Sequence, residues 1–69
     1  MADLQITNQI KMQRFMNGEM TQKELAERVG VTHQTVMAIE AAKYSPSLEV
    51  AFKIAAVFDL PLESVFQYQ

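Results

Sequence analysis

The sequence predicts an all-α fold of five short helices in a single domain, and three observations carry that expectation. Apolar residues recur at helical spacing almost throughout: Ile6 and Ile10, Val36 and Ile39, then Leu48, Phe52 and Ala55. No stretch alternates apolar and polar residues long enough to read as a strand. Helix start and stop signals follow one another so closely that 69 residues hold no second domain, and no repeat or low-complexity segment interrupts them.

Residues 1–7 read as an N-terminal tail. The first helix starts after Thr7 or Asn8 and runs to about Asn17, where Gly18 supplies a stop. "TQKE" is a capping box: Thr21 accepts from the amide three residues on and Glu24 reaches back to the amide of Thr21. Gly30 ends this second helix after about two turns. Thr32 caps a third helix, about His33 to Ala41, with Val36, Ile39 and part of Glu40 facing inward. "KYSPS" is a loop, because Pro46 pushes Ser45 out of helical geometry and Ser47 caps a fourth helix. That helix spans Leu48 to about Phe58. "DLP" breaks it, and Pro61 suits the first position of a last helix through Phe66. Residues 60–69 form this C-terminal helix and tail.

Composition excludes several functions. Cysteine is absent, which removes disulfides and thiolate metal sites and fits a reducing cytoplasm. No apolar run approaches the ~20 residues of a membrane span, and "MADLQITNQ" lacks a signal-peptide profile, so the expectation is a cytoplasmic protein off the membrane. One histidine, no glycine-rich phosphate loop and no clustered acids leave no nucleophile–base pair and no metal site. An enzyme is not expected, nor a cofactor or small-molecule ligand. The five methionines read as core filler, with Met12, Met16 and Met20 among apolar neighbours.

The second and third helices, joined by about three residues beginning at Gly30, have a helix-turn-helix outline over residues 21–41. In such a unit the second helix enters the major groove of DNA and the first crosses the backbone. The outward face of the third helix carries His33, Gln34, Met37 and Ala38 where a solvated helix would carry Lys and Glu. Gln pairs bidentately with adenine, His bonds a purine edge, and Met or Ala packs on a thymine methyl. The formal net charge of −2 argues against a nonspecific nucleic-acid coat, yet between Arg28 and Ser47 the only acid is Glu40, while Arg28 and Lys43 are cationic.

The "TQ-ELA--VGVT-QT--AIE--KYSPSLE-A-KIA" pattern resembles the small stand-alone transcriptional regulators of the Xre/Cro/C1-type helix-turn-helix family, with similarity from about Asn8 to Tyr68. That resemblance implies a lambda-repressor-like five-helix domain that binds a palindromic operator in double-stranded DNA, as a homodimer and as a repressor. It places His33, Gln34, Met37 and Ala38 at base-reading positions and Gln22 and Thr32 against phosphates. Thr35, Lys43 and Tyr44 join these as candidate phosphate contacts. The resemblance also implies an ion pair between Arg14 and Glu40; spacing from Val36 and Ile39 puts Glu40 at the core edge, where an unpaired carboxylate is costly.

Departures from the family pattern stand beside the match. The family commonly has Arg at His33, Lys-Gly or Asn-Gly at Ala41-Ala42, Gly at Asp59 and Leu at Gln13. The first two remove charge or a donor beside DNA, and Ala42 replaces the residue best suited to a left-handed helix cap. The alternative to a DNA-binding regulator is therefore an interaction module, an antitoxin or antirepressor, on the same fold. Lys43, Tyr44 and Ser45 read either as a plain surface loop or as a backbone clamp. Val65, Phe66 and Tyr68 place apolar area at the C-terminal end, read as a dimer interface against the alternative of folding back on the core.

Overall fold

Three of the five helices open on a hydroxyl cap at the residues the sequence marks. In the computed structural model, which describes residues 5–69, the chain runs β1 (Ile6–Asn8), α1 (Ile10–Met16), α2 (Gln22–Val29), α3 (His33–Glu40), α4 (Leu48–Val57), α5 (Leu62–Val65) and β2 (Phe66–Tyr68). The hydroxyls of Thr21, Thr32 and Ser47 accept from the amides of Glu24, Thr35 and Val50, and Thr21 with Glu24 completes the capping box. Among the described residues no helix is long and apolar enough to cross a membrane.

The two strands correct the all-α expectation. β1 pairs with β2 antiparallel, Ile6 opposite Tyr68, Thr7 opposite Gln67 and Asn8 opposite Phe66. Strands of three residues carry no readable alternation, and their partners lie some 60 residues apart, so neither periodicity nor a hairpin turn announces them. The strands also move two helix boundaries. Thr7 and Asn8 pair across the sheet, so α1 begins at Ile10, its amide bonded to Oδ1 of Asn8 at 3.2 Å. Pro61 caps α5 from an extended conformation instead of starting it, and Phe66 belongs to β2. The expected tail of residues 1–7 thus ends in a strand, with residues 1–4 outside the described part.

Every helix contributes to one core: Ile10, Leu25, Val36 with Ile39, Ile54 and Val65 are fully buried. Val65 is sealed inside its own protomer and has no surface to offer a partner, which removes it from the expected dimer interface; Phe66 is half-buried against the core, and only Tyr68 is exposed. The buried stripe of α4 is Ala51, Ile54 and Ala55, leaving Leu48 and Phe52 outside. Of the methionines expected as core filler, Met20 is buried, while Met12 and Met16 lie on the outer face of α1.

α3 ends in a Schellman turn built on the wrong residue. The amide of Ala42 donates to Ile39 and that of Lys43 to Ala38, both at 3.0 Å, with Ala42 at a φ of 59°. An L-residue in this conformation costs roughly 1–2 kcal/mol, and the extra chain entropy of glycine returns about 0.5–1 of that. Ala42→Gly should therefore raise the unfolding free energy by about 0.5–1 kcal/mol, read from urea denaturation. A loss of stability would show that this turn stores no strain.

Candidate nucleic-acid interface

The turn between α2 and α3 rests on Gly30, whose φ of 84° and ψ of 31° lie in the left-handed region. Its amide and that of Val31 both donate to the carbonyl of Ala26, at 2.8 and 3.1 Å, closing α2 before Thr32 opens α3. The hydroxyls of Thr32 and Thr35 share a further bond of 2.9 Å. This locks the first turn of α3, so side chains leave it in fixed directions.

Val36 and Ile39 face the core, which turns His33, Gln34 and Met37 to solvent and leaves Ala38 half-buried beside them. His33 is not isolated: its Nε2 lies 3.3 Å from Oε1 of Gln22, joining the first residues of the two helices. Gln22, Thr21 and His33 border a cleft whose rim also carries Lys11 and Lys23. Lys43 and Tyr44 are exposed just beyond α3, and Arg28 is exposed near the end of α2. Of the expected site residues, Thr32, His33, Gln34, Met37, Lys43 and Tyr44 are exposed, and Gln22, Thr35 and Ala38 are half-buried, Thr35 with its hydroxyl turned to Thr32.

Two acids line this cleft, Glu19 exposed on its rim and Glu40 paired with a cation. Arg14 clamps Glu40 bidentately, Nε to Oε2 at 2.9 Å and Nη2 to Oε1 at 2.8 Å, and its Nη1 donates to the carbonyl of Met20 at 2.8 Å. Both side chains are about nine-tenths buried. Asn8 holds the same end of α3 from the other side: its Nδ2 donates to the carbonyl of Ile39 at 2.9 Å, while its Oδ1 receives the amide of Ile10. α1 is thereby fastened to the C-terminal end of α3 by two polar clamps.

Sequence reasoning missed Asn8, Lys11 and Lys23. The two lysines were legible as cations, but only the fold brings them from α1 and α2 to the edge of the Gln22–His33 pair. Asn8 is read from sequence only as a helix-start residue; its clamp on α3 gives no local signal, because that acceptor is 31 positions away. Among the described residues no three His, Cys, Asp or Glu side chains come close enough to hold a metal ion. The site offers a set of hydrogen-bonding and apolar groups on a capped helix, beside a rim that carries Lys11, Lys23 and Glu19 and a carboxylate paired with Arg14.

Two capped helices at a left-handed glycine turn, with an uncharged outer face on the second, define a helix-turn-helix unit. The chain belongs to the Xre/Cro/C1-type helix-turn-helix family: a helix-turn-helix model matches residues 11–65. Its relatives include an uncharacterized HTH-type transcriptional regulator of Methanocaldococcus jannaschii, 45% identical over 62 residues that cover 90% of this chain and 92% of that one. Another, YgzD of Bacillus subtilis, bears the same description and is 48% identical over 59 residues, 86% of this chain and 88% of that one. A crystal structure from Bacteroides fragilis superposes with a TM-score of 0.77 over 90% of this chain and 98% of that one; at 24% identity it bears on the fold alone.

Proposed function

We propose that this protein is a transcriptional regulator that binds a palindromic operator in double-stranded DNA as a homodimer, with α3 in the major groove, and represses by occupying that site. The observation that carries the reading is the exposed face of His33, Gln34 and Met37 on a helix capped and clamped at both ends. Relatives that span most of the chain and are named HTH-type transcriptional regulators support it. In this reading Gln34 and His33 bond base edges, and Met37 with Ala38 packs on apolar groove atoms. Gln22 and Thr32 face the backbone, Thr35 supports Thr32 from behind, Lys43 and Tyr44 form a clamp after α3, and Lys11, Lys23 and Arg28 supply cations. Arg14 and Glu40 hold the frame and touch no DNA.

The test is selection of bound duplexes from a random pool at low salt. A palindrome should emerge, with half-sites about one helical turn apart. Within it, Gln34→Ala should relax the preference at one position, a loss of roughly 1–3 kcal/mol, whereas Gln22→Ala should weaken all duplexes together and leave that preference intact. Equal, sequence-independent losses from both remove Gln34 from the readout. Failure to enrich any duplex favours the second reading, an interaction module, whose support is the loss of arginine at His33 and of the polar pair at Ala41-Ala42.

A further inference from the structure

We infer that His33 reads a different base in each of its two charge states, an amino-bearing base (adenine or cytosine) when neutral and guanine when protonated, an inference that rests on the docking of α3 in the major groove proposed above. Gln22 fixes which ring nitrogen does the reading. Its Oε1 lies 3.3 Å from Nε2 of His33. An amide oxygen only accepts, so Nε2 carries the proton in this contact. A neutral imidazole has a single N–H, which leaves Nδ1 as an acceptor. His33 is exposed at the first residue of α3, and among the described residues Gln22 is the one side chain that bonds its ring.

A bound duplex favours the same arrangement. With its oxygen on His33, Gln22 keeps its amide N–H groups to donate to a phosphate; turned over, it would set its oxygen against an anion. Protonation then reverses the reading atom and nothing else. Nε2–H still donates to Gln22, so the ring stays in place, while Nδ1 changes from acceptor to donor. In the major groove N6 of adenine and N4 of cytosine donate, whereas N7 and O6 of guanine accept. One proton thus exchanges the base that fits without moving a helix. An arginine at this position would only donate, and a glutamine would do both at every pH.

The charged groups that share the cleft with His33 are Lys11 and Arg14 from α1, Glu19 from the turn before α2, Lys23 from α2 and Glu40 from α3. Arg14 and Glu40 cancel one another, which leaves two lysines and one glutamate around the ring. Phosphates join them only in the complex. Their negative charge attracts a proton to the ring, so proton uptake and the binding of a guanine-bearing duplex reinforce each other. His33 is the chain's one histidine, and histidine is the side chain type that ordinarily changes charge between about pH 5 and 8.

Selection of bound duplexes by the full chain at about pH 8.5 and again at about pH 5.5 brackets that charge change. The two recovered operators should differ at one base pair of the half-site, adenine or cytosine at the higher pH and guanine at the lower, with the preference between the two duplexes shifting by about tenfold or more. His33→Gln should hold adenine at that pair at both pH values, because its amide carries a donor and an acceptor throughout. In the free chain at about pH 8.5, nitrogen-15 spectra should find the ring proton on Nε2. A ring proton on Nδ1, one and the same base at both pH values, or a swap that persists in His33→Gln overturns the inference. Failure of the DNA reading looks different: no duplex enriches at either pH and the inference falls with it, whereas a single operator recovered at both pH values keeps the regulator and removes only the proton-dependent reading.

Discussion

Arg14→Ala is expected to lower the unfolding free energy by roughly 3–5 kcal/mol, the cost of stranding one partner of a buried ion pair. Both Glu40 oxygens are served by this one guanidinium, and the two side chains are 11% and 9% exposed, so water cannot replace the lost donors without opening the helix end. The third bond, to the carbonyl of Met20, disappears in the same step and leaves a buried acceptor unpaired. A single-core domain of this size holds about 3–5 kcal/mol in reserve, so the variant should be largely unfolded near 37 °C. Glu40→Ala should cost a similar amount, and the double variant little more than either single one. Thermal denaturation of the four proteins closes the cycle, and additive losses would mean that the pair contributes no coupling. Replacing both partners together, Arg14→Met with Glu40→Leu, should recover most of the stability, because the charges hold the geometry at a desolvation cost that apolar side chains do not incur.

The helix-turn-helix was legible because its signals are local. Thr21, Glu24, Gly30 and Thr32 act within four residues of themselves, so their roles follow from spacing alone, and the structure places each one where that spacing puts it. The outward turn of His33, Gln34 and Met37 follows from the same arithmetic once Val36 and Ile39 face inward. Features that depend on distant partners were not legible. Neither "ITN" nor "FQY" shows that the two are to pair, and that pairing decides where α1 begins, where α5 ends and why Val65 lies inside. Helical spacing identified an apolar stripe on α4 at Leu48, Phe52 and Ala55, but a stripe has no sign: only its neighbours determine that Ala51 and Ile54 are covered while Leu48 and Phe52 are bare. The methionines of α1 fail for the same reason, since apolar neighbours in sequence are not neighbours in space.

Removal of Phe66 to Gln69 is expected to lower the unfolding free energy by roughly 3 kcal/mol. The four residues form the partner of β1. Their loss takes away the Ile6–Tyr68 to Asn8–Phe66 ladder and the reciprocal bonds between Gln5 and Gln69 at 2.8 and 2.9 Å, each bond worth about 1 kcal/mol net. It also uncovers the core beneath Phe66, at about 25 cal/mol per Å² of apolar surface returned to water. The damage then travels to the recognition helix. Asn8 sits opposite Phe66 in the sheet and from there donates to the end of α3, so an unpaired β1 no longer holds that side chain in place. Gln67→Pro isolates this route, because it removes a backbone donor at the centre of β2 while keeping Phe66 and Tyr68 in the chain. Both variants should therefore shift the urea midpoint downward, and amide exchange should speed up in β1 and at the C-terminal end of α3 before it does in α2. A truncated protein with unchanged midpoint and unchanged exchange in α3 would make the sheet dispensable, and Asn8 would then owe its position to α1 alone.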